Sequence, residues 1–141
     1  MSADSFLDTN LFIYQLEARD THKAEIAGRI IRDAVENGTG CISFQVVQEC
    51  LNVAVRKAEV PLDASSARDY LDNVLDPLWQ VMPTPALYHR ALDIQGRYGY
   101  AFYDALIIAA AVESGCRRIL TEDLHDGQRI DGVTIENPFE G

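Results

Sequence analysis

Short apolar runs alternate with longer amphipathic stretches along this chain, and the alternation sets the predicted elements. The first apolar run ends at Asp8, and apolar residues resume at Leu11. Runs this short, bounded by polar and turn residues, are typical of buried strands. The predicted strands are residues 6–7, 41–42, 79–82, 118–121 and 133–135, with the last of them at an edge of the sheet.

The longer stretches carry apolar residues at helical spacing. One of them places Gln45 and Glu49 together on its polar side. The stretch at residues 84–99 is predicted to bury Tyr98 on its inner face. The most apolar stretch, residues 102–114, has Asp104 in its first turn. The predicted helices are residues 22–37, 44–57, 63–77, 84–99 and 102–114, the third capped by Asp63 and closed by Pro77.

Strands that alternate with helices predict an α/β fold with a mainly parallel sheet. Neither an internal repeat nor a linker interrupts the pattern, so residues 1–141 are predicted to form a single domain. In such a sheet, side chains that follow the strands meet at one edge, where ligands bind. Asp8 and Asp123 are expected at that edge.

The composition is that of a globular protein, with 48% apolar and 24% charged residues, and the formal net charge is −10. This charge argues against broad, non-specific binding of nucleic acid, which usually needs a basic face. It is compatible with a nucleic-acid enzyme whose acids are gathered around cations. It also suits a partner with a basic segment.

Three cysteines and the apolar runs bear on location. Cys41, Cys50 and Cys116 are far apart and have no paired spacing, so they are interpreted as small buried thiols in a reducing compartment. The N-terminus lacks a secretory signal pattern, and the apolar run at 105–112 is too short to span a bilayer. We therefore expect a cytoplasmic protein without a membrane partner.

Each candidate acid has an ordinary structural explanation when it is taken alone. Asp8 could form a turn or cap a helix, and Asp104 could favour a helix N-terminus electrostatically. Glu49 could lie on a solvated helix face, and Asp123 in a loop. Together they are a set of hard oxygen ligands, which suits Mg²⁺ or Mn²⁺ rather than zinc. Clustered carboxylates also repel one another unless a cation lies between them.

Other catalytic chemistries find little support. The sequence has no G-x-S-x-G motif, no P-loop and no G-x-G-x-x-G motif. None of the three histidines adjoins a Ser or Cys in a nucleophile setting.

Four short motifs, in order, resemble those of the PIN-domain nucleases. The C-terminal tail at residues 126–139 is similar to that of the VapC branch, the ribonuclease toxins of bacterial type II toxin–antitoxin pairs. The resemblance spans nearly the whole chain, and the order of the motifs makes it specific. The motifs are Phe6-Leu7-Asp8-Thr9-Asn10, Gln48-Glu49-Cys50-Leu51-Asn52-Val53, Tyr103-Asp104-Ala105-Leu106-Ile107 and Leu120-Thr121-Glu122-Asp123-Leu124.

The resemblance implies a three-layer α/β/α sandwich whose mainly parallel sheet has about five strands. It assigns metal-site roles to four acids, with Asn10 and Thr121 as polar neighbours that orient ligands or water. Asp8 and Asp104 are then the candidates for shared core ligands, while Glu49 either binds the metal or acts on the attacking water. The four acids are Asp8, Glu49, Asp104 and Asp123.

Three neighbouring acids are candidates for the fourth acid of the site. Glu122, Asp123 and Asp126 lie close together in the sequence, and Asp123 is preferred.

The implied function is Mg²⁺- or Mn²⁺-dependent hydrolysis of RNA phosphodiester bonds by a toxin that a cognate antitoxin inhibits. A homodimer is also implied. The alternative is a PIN-like module that binds RNA or protein without cleaving. A two-component receiver domain also places acids at strand ends, but it needs a paired acid after the first strand and a Lys near the last, and neither is evident.

Overall fold

A six-stranded, mostly parallel sheet with flanking helices forms the centre of the protein. The structure is a computed structural model in which residues 3–57 and 61–140 are described. The strands are β1 (Ser5–Leu7), β2 (Gly40–Ser43), β3 (Trp79–Val81), β4 (Arg118–Leu120), β5 (Arg129–Ile130) and β6 (Val133–Glu136).

The helices connect the strands and cover the sheet. The α-helices are α1 (Thr9–Glu17), α2 (Thr21–Asn37), α3 (Phe44–Asn52), α4 (Ala64–Tyr70), α5 (Asp76–Leu78), α6 (Pro85–Tyr98) and α7 (Phe102–Ser114). A π-helical turn, Val53–Lys57, extends α3, and a second one, Leu71–Leu75, joins α4 to α5. The predicted α/β/α fold with a mainly parallel sheet is confirmed.

The strand order places a topological switch point at the centre of the sheet. The order is β3-β2-β1-β4-β6-β5, so the chain moves from β1 towards one edge and later resumes on the other side of β1. β1 pairs in parallel with both β2 and β4. Open α/β sheets bind their ligands beyond the carboxyl ends of the strands at such a point.

The sheet is one strand larger than predicted, and its last strand lies in a different place. β6 was expected at an edge, but it pairs in parallel with β4 and antiparallel with the two-residue strand β5. The turn at Asp131 and Gly132 makes this hairpin possible, because both residues have positive φ (48° and 89°). The prediction of an edge strand at 133–135 was therefore wrong.

Helix α1 was not predicted from the sequence, because Asp8, Thr9 and Asn10 were interpreted as residues that follow a strand. In the structure Asp8 is the N-cap of α1, and its side chain accepts a hydrogen bond from the Thr9 backbone N–H. Leu11 and Phe12 in α1 are fully buried. The carboxylate at the strand end thus starts a helix at once, with no intervening loop.

The core lies largely around α7, in which every residue from Ala105 to Ala111 is buried. Its C-terminal stop at Gly115 has φ 78° and was predicted correctly. Two details differ from the predictions. Tyr98 is 38% exposed at the end of α6 rather than buried, and Pro77 lies inside a helical segment that continues to Leu78.

Candidate active site

The four candidate acids come from segments that reach the carboxyl edge of the sheet beside the switch point. Asp8 follows β1, and Asp123 lies in the loop after β4. Glu49 is in α3, which begins directly after β2, and Asp104 is in the first turn of α7. The Asp8 backbone N–H donates to the Leu120 carbonyl at 3.1 Å, so the ends of β1 and β4 are joined where the site begins.

Asp8 is the buried member of the set, with 8% of the residue exposed. Its carboxylate accepts hydrogen bonds from the Thr9 backbone N–H at 2.7 Å and from the Thr121 hydroxyl at 2.8 Å. Burial raises the pKa of Asp8 to about 6, against the lowering effect of those two bonds and with the added repulsion of Glu49 and Asp123. The site therefore holds a carboxylate whose charge is costly without a cation.

The hydroxyl of Thr121 connects Asp8 to the Asp123 loop. It donates to Asp8 and accepts from the Asn10 Nδ2 at 3.0 Å and from the Asp123 backbone N–H at 3.1 Å. Asn10 Nδ2 also donates to Asp123 Oδ2 at 3.1 Å. Thr121 is fully buried, so these bonds fix Asp123 relative to Asp8 with little competition from water.

Glu49 reaches the site through Thr9. The Thr9 hydroxyl donates to Glu49 Oε1 at 2.9 Å, while the Thr9 backbone N–H donates to Asp8. Glu49 is itself exposed, so its carboxylate is available for a second interaction.

Asp104 differs from its sequence-based description. Limited access to water was expected, because the residues that follow it are apolar, but Asp104 is exposed and burial begins at Ala105. Its position in the first turn of the helix explains this, since the end of α7 emerges from the core there. Partial desolvation, followed by repulsion from Asp123, still raises the pKa of Asp104. Asp104 therefore interacts electrostatically with Asp123.

The structure separates the three neighbouring acids of the β4–β5 loop. Asp123 is joined to Asn10. The Asp126 carboxylate instead accepts from the Asn137 backbone N–H at 2.9 Å. The Glu122 carboxylate accepts from the Tyr14 hydroxyl and from Lys23 Nζ, the latter at 2.9 Å.

The Glu122 cluster, made of Tyr14, Lys23, Glu122 and Phe139, holds this loop against α1 and α2. Lys23 Nζ also donates to the Tyr14 hydroxyl at 3.2 Å and lies 5.1 Å from the Tyr14 ring centroid and 5.6 Å from that of Phe139. The Tyr14 and Phe139 rings meet edge to face, with centroids 5.1 Å apart. Hydrogen bonds to Glu122 and Tyr14 raise the pKa of Lys23.

Sequence reasoning missed three kinds of supporting residue. Thr9 and the two partners of Glu122, Tyr14 and Lys23, were not recognised as supporting residues, because their contacts join segments that are distant in the sequence. Gln45 was placed on a polar helix face but is only 5% exposed. Its Nε2 donates to the Tyr103 carbonyl at 3.2 Å. Its position four residues before Glu49 was the signal that could have marked it, because residues at this spacing share a helix face.

The donor set matches a hard divalent cation, although the acids are spread apart. Carboxylate oxygens predominate, and the buried Oδ1 of Asn10 has no hydrogen-bond partner among the described residues. Within residues 3–57 and 61–140, no three Asp, Glu, His or Cys side chains lie close enough together to hold a metal ion. The chemistry of the donors therefore fits a hard divalent cation such as Mg²⁺ or Mn²⁺, which is commonly held by one or two carboxylates and completes its ligand set with water.

None of the helices described is long and apolar enough to cross a membrane. The three cysteines are buried and free, as predicted.

The fold is similar to solved structures at low sequence identity. A toxin–antitoxin complex from Klebsiella pneumoniae matches with a TM-score of 0.65 and 19% identity, over 97% of this chain and 99% of that one. VapBC2 from Rickettsia felis, bound to a DNA fragment from its promoter, matches with a TM-score of 0.63 and 19% identity, over 94% and 97%. VapC20 from Mycobacterium tuberculosis, a sarcin–ricin loop cleaving toxin, matches with a TM-score of 0.61 and 19% identity, over 85% and 92%.

A comparison with curated protein sequences gives no match. The family description that matches this sequence is that of the PIN domain, and the match covers residues 5–131. These residues include all four candidate acids and every strand of the sheet except β6. The chain therefore belongs to the PIN-domain family.

Proposed function

We propose that this protein is a metal-dependent endoribonuclease that hydrolyses RNA phosphodiester bonds and acts as the toxin of a toxin–antitoxin pair. One observation carries the proposal. Acids from distant segments are linked at the switch point of the sheet by Thr9, Asn10 and Thr121. A buried carboxylate with a raised pKa in such a place is typical of a functional site.

The residues divide into those that hold the site and those that can contact a cation. Thr9, Asn10 and Thr121 orient three of the carboxylates through the hydrogen bonds described above. Asp8 and Asp104 are proposed as shared metal ligands, with Asp123 as a further ligand, and Glu49 as a ligand or as the group that orients the attacking water. Bound Mg²⁺ or Mn²⁺ would make that water easier to deprotonate and would neutralise charge on the phosphate and the leaving oxygen.

Partners and setting follow as part of the proposal. Two structural neighbours are a toxin–antitoxin complex and a VapBC2 complex bound to a DNA fragment, and a third is a toxin that cleaves the sarcin–ricin loop. By similarity we propose a VapC-type toxin made of one domain, residues 1–141, that acts as a homodimer in the cytoplasm. Its partners would be RNA and a cognate antitoxin.

The direct cellular test is the sequencing of RNA ends after brief expression of the protein. We expect new ends at a small number of RNA positions, and we expect them to disappear with Asp8→Asn. New ends that persist in the Asp8→Asn strain would contradict the proposal.

The antitoxin is proposed to combine an apolar helix with a basic side chain. The apolar part would cover a groove near the first helices, and an Arg or Lys would enter the acidic site, which suits the net charge of −10. The measurement is the affinity of a copurified partner for wild type and for variants of the four acids. Equal affinity of the partner for wild type and for all four variants would show that the acidic site is not part of the interface.

The alternative function is that of a PIN-like module that binds RNA or protein without cleaving it. One observation favours it: among the described residues, no three potential ligand side chains lie close enough together to hold a metal ion. Calorimetric titration with Mg²⁺ and Mn²⁺ separates the two, because the nuclease needs a saturable metal site and the binding module does not.

A further inference from the structure

We infer that Tyr103 is a substrate-positioning residue, whose ring stacks on an unpaired RNA base next to the acids of the proposed site. This inference rests on the proposed ribonuclease function and adds a residue that binds the substrate without taking part in the reaction. Tyr103 is 69% exposed, the highest exposure among the large hydrophobic side chains described. It directly precedes Asp104, a proposed metal ligand.

The ring belongs to an ordered aromatic row of Tyr88, Phe102 and Tyr103. The Phe102 ring meets Tyr103 edge to face, with centroids 5.5 Å apart at 72°. Behind it, the Tyr88 ring lies nearly parallel to Phe102, with centroids 6.4 Å apart at 14°. Tyr103 is thus supported on one side while most of its surface stays open to solvent. An exposed ring that is held in place loses little conformational freedom when a flat ligand binds it.

The aromatic row is attached to the helix that carries Glu49. Gln45 Nε2 donates to the Tyr103 carbonyl at 3.2 Å. Gln45 Oε1 is buried and has no hydrogen-bond partner among the described residues. Gln45 and Glu49 lie four residues apart in α3 and so share a helix face. These contacts fix Tyr103 relative to two of the proposed catalytic acids and leave one acceptor oxygen beside it.

The net negative charge of the protein makes stacking an important source of affinity for RNA. A chain of net charge −10 repels RNA phosphates, so its surface cannot supply the electrostatic attraction that most nucleic-acid proteins use. Stacking of bases on aromatic side chains contributes affinity that does not depend on charge. It requires an unstacked base, which loops and single strands offer and a continuous RNA helix does not.

The test measures RNA binding separately from cleavage. A short single-stranded RNA with one fluorescent adenine analogue is titrated with protein in EDTA and about 150 mM salt, where screening is strong. The proteins are wild type, Tyr103→Ala, Tyr103→Phe and the control Tyr98→Ala, which removes a 38% exposed tyrosine outside the aromatic row. Melting curves check that all four proteins fold, and sedimentation records their oligomeric state.

We expect Tyr103→Ala to weaken binding of the single-stranded RNA by about 5- to 150-fold. Tyr103→Phe and Tyr98→Ala should stay close to wild type, and none of the variants should alter affinity for a continuous RNA duplex. In Mg²⁺, Tyr103→Ala should raise KM with little change in kcat, because stacking holds the substrate without taking part in the reaction.

Three results would overturn the inference: wild-type affinity in Tyr103→Ala, no binding of single-stranded RNA by wild type, or a loss of oligomer in Tyr103→Ala, which would mean that a second copy covers the ring. The proposed function fails separately. Stacking on Tyr103 without cleavage in Mg²⁺ would support the stacking role and contradict the nuclease function. Cleavage with an unchanged KM in Tyr103→Ala would support the nuclease function and contradict the stacking role.

Discussion

Asp8 makes the stability of the metal-free protein depend on pH. Its pKa is about 6 in the folded state, against an ordinary value of 3.8, so the folded state binds more protons than the unfolded state between these values. Stability should therefore fall as pH rises from about 4 to 6. The full effect is roughly 3 kcal/mol, because each pKa unit corresponds to about 1.4 kcal/mol.

Urea unfolding in EDTA across this pH range measures the effect. The free energy of unfolding of wild type should decline with rising pH relative to that of Asp8→Asn, because Asn has no carboxyl group to ionise. Parallel curves for the two proteins would show that Asp8 does not carry the pH dependence.

Thr121 predicts a second effect at a single residue. Thr121→Val keeps the shape but removes the hydroxyl that serves Asp8, Asn10 and the Asp123 backbone N–H. We expect a loss of about 1–3 kcal/mol in the free energy of unfolding, since buried polar groups are left without a partner. The conservative control, Thr121→Ser, should retain most of the stability. A Val variant as stable as the Ser variant would show that the hydroxyl contributes nothing.

A substitution at Asp104 distinguishes two roles for this residue: a metal ligand, or an acid that only stabilises the N-terminus of a helix. Asp104→Asn removes one charge and the repulsion of Asp123. The metal-free variant should melt at or above the wild-type temperature, while Mg²⁺ should raise the melting temperature of wild type more than that of the variant. Equal stabilisation of the two proteins by Mg²⁺ would leave Asp104 with only the helix role.

At the scale of elements, the Glu122 cluster holds α1, α2 and the loop of Asp123 together. Glu122→Gln weakens the bond to Lys23 and should let the loop move, which lowers the affinity for Mg²⁺ or Mn²⁺ by several-fold without removing a proposed ligand. Calorimetric titration measures this. Glu113→Gln is the matched control, because it alters a similar ion pair with Arg90 at the opposite end of α7 from Asp104. Equal affinity of the two variants would contradict a positioning role for Glu122.

The elements also show which parts of the fold the sequence could predict. Residues 102–114 were correctly predicted to form the most buried helix, because a helix that is apolar on all sides has to lie in the core. Helix α1 was missed, since an Asp–Thr–Asn sequence is equally typical of a turn and of a helix start. β5 has only two residues, and no local pattern marks so short a strand. Its pairing is decided by β6, which it meets only in the folded chain.

The sequence indicated where the candidate acids lie better than it indicated the residues that contact them. Alternating strands and helices brought Asp8 and Asp123 to one edge of the sheet, as expected. The preference for Asp123 over Glu122 stays a prediction, and the contacts that distinguish the two acids, with Asn10 and with Lys23, join segments that are distant in the sequence. The burial of Gln45 depends on its contact with the distant Tyr103, which no local pattern reveals.

At the scale of the whole molecule, the arrangement of the acids is compatible with the proposed RNA substrate, although the chain is acidic. The negative charge of −10 includes acids that are concentrated at one edge of the sheet, where divalent cations can neutralise them. The switch point beside β1 and β4 determines that edge. The rest of the surface then needs no basic face, provided that bound cations and stacking supply the contacts to RNA.

The most direct test of this account is the cleavage of end-labelled RNA by the purified, antitoxin-free protein during titration with Mg²⁺ or Mn²⁺. We expect a cleavage rate that rises and saturates with the metal, stops with EDTA, and falls by orders of magnitude in Asp8→Asn and Asp104→Asn. The Glu113→Gln control should cleave at the wild-type rate. Cleavage that continues undiminished in EDTA and in Asp8→Asn would contradict the metal-dependent site at the centre of the account.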